Sequence, residues 1–196
     1  MSPSIDKSAI ELITTRRSVV AANMTDPGPT GDELNTIIAA GMRVPDHGRV
    51  GPWRIQIIRK DAQAKLGALY GKLFKEDNPD APDDLVEFNR DRPSRSPILL
   101  AITFHPDPER YVKVPHSEQI LSCGALCQNI LNGAHDTGFV AQWLTEWPAY
   151  HAEVKAALGH SAETEIVGFI HIGSATEAPQ ERKRVGPESI VSEWAG

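Results

Sequence analysis

The chain has 196 residues, 40% hydrophobic and 23% charged, a balance that suits one soluble globular domain with a core of its own. Its 26 acidic residues outnumber 20 basic ones for a net charge of -6, which leaves no basic surface for wrapping nucleic acid. No apolar run approaches the roughly 20 residues that span a bilayer, and Met1 to Ala9 lacks an apolar signal core, so a cytoplasmic protein with neither nucleic-acid nor membrane partner is expected.

Glycine and proline are scattered and no repeat is visible, so residues 1–196 read as one domain. The stretch Asp6 to Thr15 predicts a short helix with Ile10 and Ile13 on one face, ending at Arg16-Arg17-Ser18. Thr30 and Glu33 have the spacing of a capping box. Leu34, Ile37, Ile38, Gly41 and Met42 then recur at helical intervals until Pro45 stops the helix. After the turn-rich Asp46 to Pro52, Trp53 to Arg59 alternates as a strand, and a helix begins near Asp61 with Leu66, Leu69, Tyr70, Leu73 and Phe74 on its apolar side. Residues 75–96, rich in acidic side chains and interrupted by Pro79, Pro82 and Pro93, predict a mobile acidic excursion.

Pro97 to Phe104 is a continuous apolar strand. Glu118 to Ala134 is a helix apolar on nearly every face, which implies burial or contact with another subunit. Phe139 to Trp143 and Ile166 to Ile172 complete the strands, separated by a helix opened by Pro148 and closed by Gly159, with residues 174–196 as a C-terminal extension. Helices and strands mix without strict alternation, which favours an α+β fold.

Several chemistries are excluded by motif. The sequence has no GxSxG, Walker A or GxGxxG run, and its seven histidines include no HxH, HxxxH or HExxH pair. Cys123 and Cys127 lie one helical turn apart without the CxxC spacing, and read as small packing residues. Arg16-Arg17-Ser18 combines two planar donor forks with a hydroxyl, a set suited to phosphate, although basic residues at a helix end also serve to neutralise its carbonyls. His47 sits on a loop between helix and strand, a position from which binding residues often project, and Trp143-Leu144-Thr145 ends a strand.

Taken in order, these pieces resemble the nitroreductase family of flavin-dependent oxidoreductases, and its small, minimal-lid members in particular. The resemblance runs from IELITTRRS, through Val44-Pro45-Asp46-His47 and Gly51-Pro52-Trp53, to GFVAQWLTE and IVGFIHIGSA, and so covers Asp6 to Val191. It implies a four- or five-stranded, mainly antiparallel sheet flanked by helices, in an intertwined homodimer with two FMN sites at the interface. By position, Arg16, Arg17 and Ser18 would hold the flavin phosphate, assisted by Arg182 or Arg184. Arg43 and His47 would arrive from the partner chain, and Trp143, Leu144 and Thr145 would lie along the isoalloxazine.

The implied activity is a ping-pong transfer of hydride from NAD(P)H to nitroaromatics, quinones or similar small acceptors, in which the flavin carries the chemistry and no side chain acts as a nucleophile. Three positions depart from the family pattern: Leu144 replaces a polar or basic residue, Glu146 a glycine, and Gly51 a glutamine. Two alternatives stand beside this reading: a flavin-binding protein without turnover, and a metal-dependent hydrolase built on Asp46, His47 and His116.

Overall fold

Short-range signals set most element boundaries in the computed structural model, which describes residues 8–106, 109 and 113–196. Helix α1 (Ala9–Thr15) is opened by Ser8, whose side chain accepts from the Glu11 amide. The expected start at Asp6 lies outside the described residues. A two-residue strand β1 (Met24–Thr25) precedes α2 (Gly31–Gly41). There the predicted capping box is formed in both directions between Thr30 and Glu33. Next come β2 (Trp53–Ile58) and α3 (Lys60–Asp77).

The acidic stretch 75–96 takes regular structure: the end of α3, a helix α4 (Asp83–Arg90) and a 3-10 turn at Arg92–Ser94. Asp83 and Asp84 occupy the first turn of α4, where the helix dipole favours negative charge. Val86, Asn89 and Pro93 are buried. Gly67 of α3 sits so close to α4 that a Cβ there would overlap the Arg90 carbonyl oxygen, which leaves glycine as the residue that permits this approach.

Strand β3 (Ile98–Phe104) leads to α5 (His116–Asp136) and β4 (Val140–Leu144). The following helix, α6 (Ala152–Ala157), is opened by His151, because Pro148 instead forms a separate 3-10 turn at Trp147–Ala149. Gly159, at φ +83°, ends the helical segment as expected, and β5 (Glu165–Ala175) follows.

The sheet has the order β1-β5-β3-β2, with β4 also paired to β5, and every pairing is antiparallel. All seven residues of β3 are buried because both sheet faces are covered. Ile98, Leu100 and Ile102 point into a core with Leu34 and Ile37 of α2 and Leu126 and Ile130 of α5. Leu99 and Ala101 point to the opposite core with Leu66, Tyr70 and Leu73 of α3 and Val154 of α6. The period of two thus divides one apolar run between two helical layers.

His171 of β5 is 4% exposed, and its Nδ1 lies 2.9 Å from Ser96 Oγ, which in turn donates to the Ile98 carbonyl at 2.7 Å. With the only hydroxyl proton spent on that carbonyl, Nδ1–H is the donor to Ser96. Burial, with Arg95 nearby, pulls the His171 pKa down to about 4. Below an unfolded value near 6.5 the unfolded chain binds a proton that the folded chain refuses. This contribution to stability is complete above pH 6.5 and is lost as pH falls towards 4, by about 3 kcal/mol. Thermal melts across pH 4–7 should show that decline, and His171→Gln should flatten it. A variant profile parallel to that of the wild type would show that another group is responsible.

Candidate functional site

Chain direction at the end of α1 builds the first half of the site. Arg16 leaves helical geometry at φ -57°, ψ 135°, and the chain then runs along β4. The Val19 amide donates to Ala141 O at 3.4 Å and the Ala21 amide to Gln142 Oε1 at 2.6 Å. Between residues 17–25 and the segment 176–182 after β5 lies a pocket of about 610 Å3, lined by Arg17, Ser18, Asn23, Thr176, Glu181 and Arg182 among others. A smaller cavity of about 170 Å3, bordered by Thr15, Arg16, Arg17 and Asp136, adjoins it.

Arg17 is 6% exposed, and its Nη1 donates to Glu181 Oε1 at 2.5 Å. Arg184 Nη1 lies 3.5 Å from the same oxygen, and Arg182 donates its backbone amide to it. Burial, followed by the charges of Arg184 and Arg17, lowers the Arg16 pKa. Arg16 Nη1 and Arg17 Nε are buried and have no hydrogen-bond partner among the described residues. Guanidinium groups stay charged at neutral pH, so buried donors of this kind call for an anion. Of the predicted phosphate residues, Arg16, Arg17, Ser18, Arg182 and Arg184 are therefore gathered in one place. The donor set fits a phosphate group, which offers three oxygens to fork-shaped donors.

The strand-end residues divide. Trp143 donates its indole N–H to Val167 O at 3.1 Å and packs over Gly168, where a Cβ would overlap the indole nitrogen, with Gly124 of α5 at its tip. Its ring belongs to the core between sheet and helix. Leu144, Thr145 and Glu146 border a cavity of about 20 Å3 shared with Tyr70, Arg92 and His171, room for about one water. The Tyr70 hydroxyl is buried without a hydrogen-bond partner among the described residues, and burial raises its pKa.

Arg43 and His47 lie elsewhere. His47 Nδ1 is 2.6 Å from Glu118 Oε2 in the first turn of α5, whereas the arginine cavity meets Asp136 at the end of that helix. The 21 residues of α5 separate those points by about 30 Å. Arg43 is exposed, and its backbone carbonyl accepts from Asn129 Nδ2 at 3.0 Å, about two turns from Asp136. One chain thus does not bring His47 to the arginine cluster.

The residues of the metal-hydrolase alternative have separate partners. Asp46 accepts from the Val50 and Gly51 amides, His47 meets Glu118, and His116 Nε2 lies 2.9 Å from Glu165 Oε1. Both cysteines are buried, and burial pushes each thiol up to about 12, as suits packing residues.

Glu181, Gln142, Tyr70 and Arg92 were not singled out from the sequence, since each acts through a contact distant along the chain. Glu146 had a local signal, its place in the position of a glycine, and its backbone explains that signal: φ 49°, ψ -178°, a region almost reserved for glycine. Its carboxylate pairs with Arg92 Nη1, while Arg92 Nε and Trp147 Nε1 both donate to Asn89 Oδ1 at 2.8 Å. Strain of this kind costs about 1–3 kcal/mol, against about 0.5–1 kcal/mol of extra chain entropy for glycine over alanine. Glu146→Gly and Glu146→Ala both lose the Arg92 pair, so in denaturant melts the glycine variant should be the more stable by about 1 kcal/mol. The usual order, alanine above glycine, would show the backbone to be unstrained.

The model of the Nitroreductase family matches residues 13–174. The Escherichia coli K12 protein named "Putative NAD(P)H nitroreductase YdjA" is 31% identical over 170 residues, covering 85% of this chain and 87% of its own. Among solved structures, a nitroreductase-like family protein from Bacillus cereus superposes with a TM-score of 0.84 at 22% identity over 100% of both chains. A mutant of the FMN and NADPH-dependent nitroreductase NfnB from sphigopyxis sp. strain HMH gives 0.77 at 20% identity, over 97% of this chain and 100% of its own. With its antiparallel sheet flanked by helices and a family match over most of its length, the chain belongs to the nitroreductase family.

Proposed function

We propose that the protein is an FMN-dependent oxidoreductase of the cytoplasm that passes hydride from NADH or NADPH to small oxidised acceptors such as nitroaromatics and quinones. The observation that carries this reading is a pair of buried nitrogens without a hydrogen-bond partner among the described residues, Arg17 Nε beside a pocket of about 610 Å3 and Arg16 Nη1 beside the adjoining cavity of about 170 Å3. The names of NfnB and YdjA, which specify FMN and NADPH in one case and NAD(P)H in the other, support the cofactor and the donor. Bound FMN would supply the two-electron chemistry, in ping-pong alternation between donor and acceptor.

The chain's own residues then have defined tasks. Arg16, Arg17 and Ser18 bind the phosphate, and Arg182 and Arg184 add positive charge at its rim. Leu144 and Thr145 border the ring edge, where Leu144 offers no hydrogen bond and Thr145 offers a hydroxyl. Arg43 and His47 complete the site from a second copy of the chain. That copy is also called for by apolar side chains left in water: Ile10 and Ile13 of α1 and Leu121 of α5 are 71%, 59% and 71% exposed. An obligate dimer buries more than about 2,000 Å2. Sedimentation of the FMN-loaded protein at micromolar concentration should give a dimer, and a stable loaded monomer would refute this part of the proposal.

The phosphate assignment is tested by comparing two ligands. FMN differs from riboflavin by one phosphate, and charge-assisted hydrogen bonds contribute about 1.5–3 kcal/mol each. Arg17→Ala or Arg16→Ala should therefore weaken FMN binding by about ten- to a hundredfold and leave riboflavin nearly unchanged, as read by quenching of flavin fluorescence. Equal weakening of both flavins would assign the arginines to the ring or the fold. No weakening of either would return them to the helix end alone.

A further inference from the structure

The pocket beside Arg17 already contains an anion. Glu181 Oε1 lies 2.5 Å from Arg17 Nη1 and 3.5 Å from Arg184 Nη1. The two ends of the main pair differ sharply in freedom: the Arg17 side chain is 7% exposed and the Glu181 side chain 67%. Arg17 is walled in and cannot follow a departing partner, whereas Glu181 can rotate into water. Glu181 also sits on a stretch, residues 176–184, without helix or strand. Its bond from Arg17 ties that stretch to the end of α1.

We propose that Glu181 is a selectivity-determining residue of this pocket, an internal anion that a ligand phosphate must displace from Arg17. The inference rests on the FMN reading above and goes beyond it. A carboxylate offers two oxygens and one negative charge, and a phosphate offers three oxygens and close to two charges. A ligand with a single carboxylate would exchange one such contact for another and gain little. A phosphate brings a third oxygen and close to twice the charge to a cluster in which Arg16 and Arg184 lie near Arg17, so it outcompetes Glu181. The cost of displacement, or of like-charge repulsion if Glu181 stays near, falls on phosphate-bearing ligands alone. Riboflavin has no charge to place there and leaves the Arg17–Glu181 pair intact. Glu181 thereby narrows the gap between FMN and riboflavin and keeps weaker anions out of the pocket.

The test uses the full chain stripped of flavin, wild type and Glu181→Gln, each titrated with FMN and with riboflavin by fluorescence quenching. Glutamine keeps the shape and one acceptor oxygen while removing the charge. The variant should bind FMN about tenfold more tightly, equivalent to about 1.4 kcal/mol, with riboflavin changed by less than about twofold. Unchanged FMN affinity in the variant would overturn the inference, because the carboxylate would then not compete. Weaker FMN binding would overturn it in the opposite sense, making Glu181 a clasp that holds residues 176–184 over the ligand. In both of those cases the wild type still binds FMN and the cofactor reading stands. A wild-type chain that does not bind FMN overturns the cofactor reading itself, and this inference with it.

Discussion

Strand β5 is the constraint around which the molecule is arranged. It pairs antiparallel with β1, β3 and β4, and its residues from Gly168 to Gly173 are buried without interruption. A strand buried on both faces needs apolar cover on each side, and α2 and α5 provide it on one face while α3 and α6 provide it on the other. Eleven residues of strand span about 33–37 Å, so the ends of β5 are far apart. Glu165 at its start meets His116, and the chain beyond Ala175 enters the wall of the Arg17 pocket. The separation of His47 from the arginines has the same origin, since α5 lies lengthwise over the sheet.

Electrostatics concentrate at the C-terminal end of β5. Two adjacent arginines leave α1 together and are drawn into partial burial, where neither can discharge itself. A buried cation is tolerated when an anion and hydrogen bonds compensate its lost hydration. Glu181 supplies part of that compensation and leaves two donor nitrogens unmet among the described residues. The pocket is therefore electrostatically incomplete on its own terms, which is the condition expected of a protein surface shaped to receive a phosphate.

The other end of β4 shows a different device. The turn after Leu144 holds Glu146 in a backbone region that glycine favours, and the surroundings keep it there through a chain of polar contacts from Glu146 to Arg92 to Asn89 to Trp147. Helix α4 supplies Asn89, and the 3-10 turn that follows supplies Arg92. Strain that persists inside an over-determined network marks sites where backbone position matters more than local comfort. The acidic segment 75–96 is thus connected to the proposed flavin edge through defined side chains.

What the sequence determined by itself was local in origin. Thr30 and Glu33 cap α2 because their groups meet within one helical turn, and the run Ile98–Phe104 forms a buried strand because it has no polar residue but Thr103. The order of motifs along the chain was enough to indicate the nitroreductase fold. The same local view left the helix within the acidic excursion 75–96 unseen, since charge and prolines there obscure any pattern and the buried side of α4 is too short to show a period. It also misplaced the start of α6, because Pro148 opens a separate 3-10 turn. Only the tertiary structure paired Arg17 with Glu181, 164 residues apart, and set Glu146 against Arg92. The physical reason is that sheet register and burial decide which distant side chains meet, and neither is encoded in spacing along the chain.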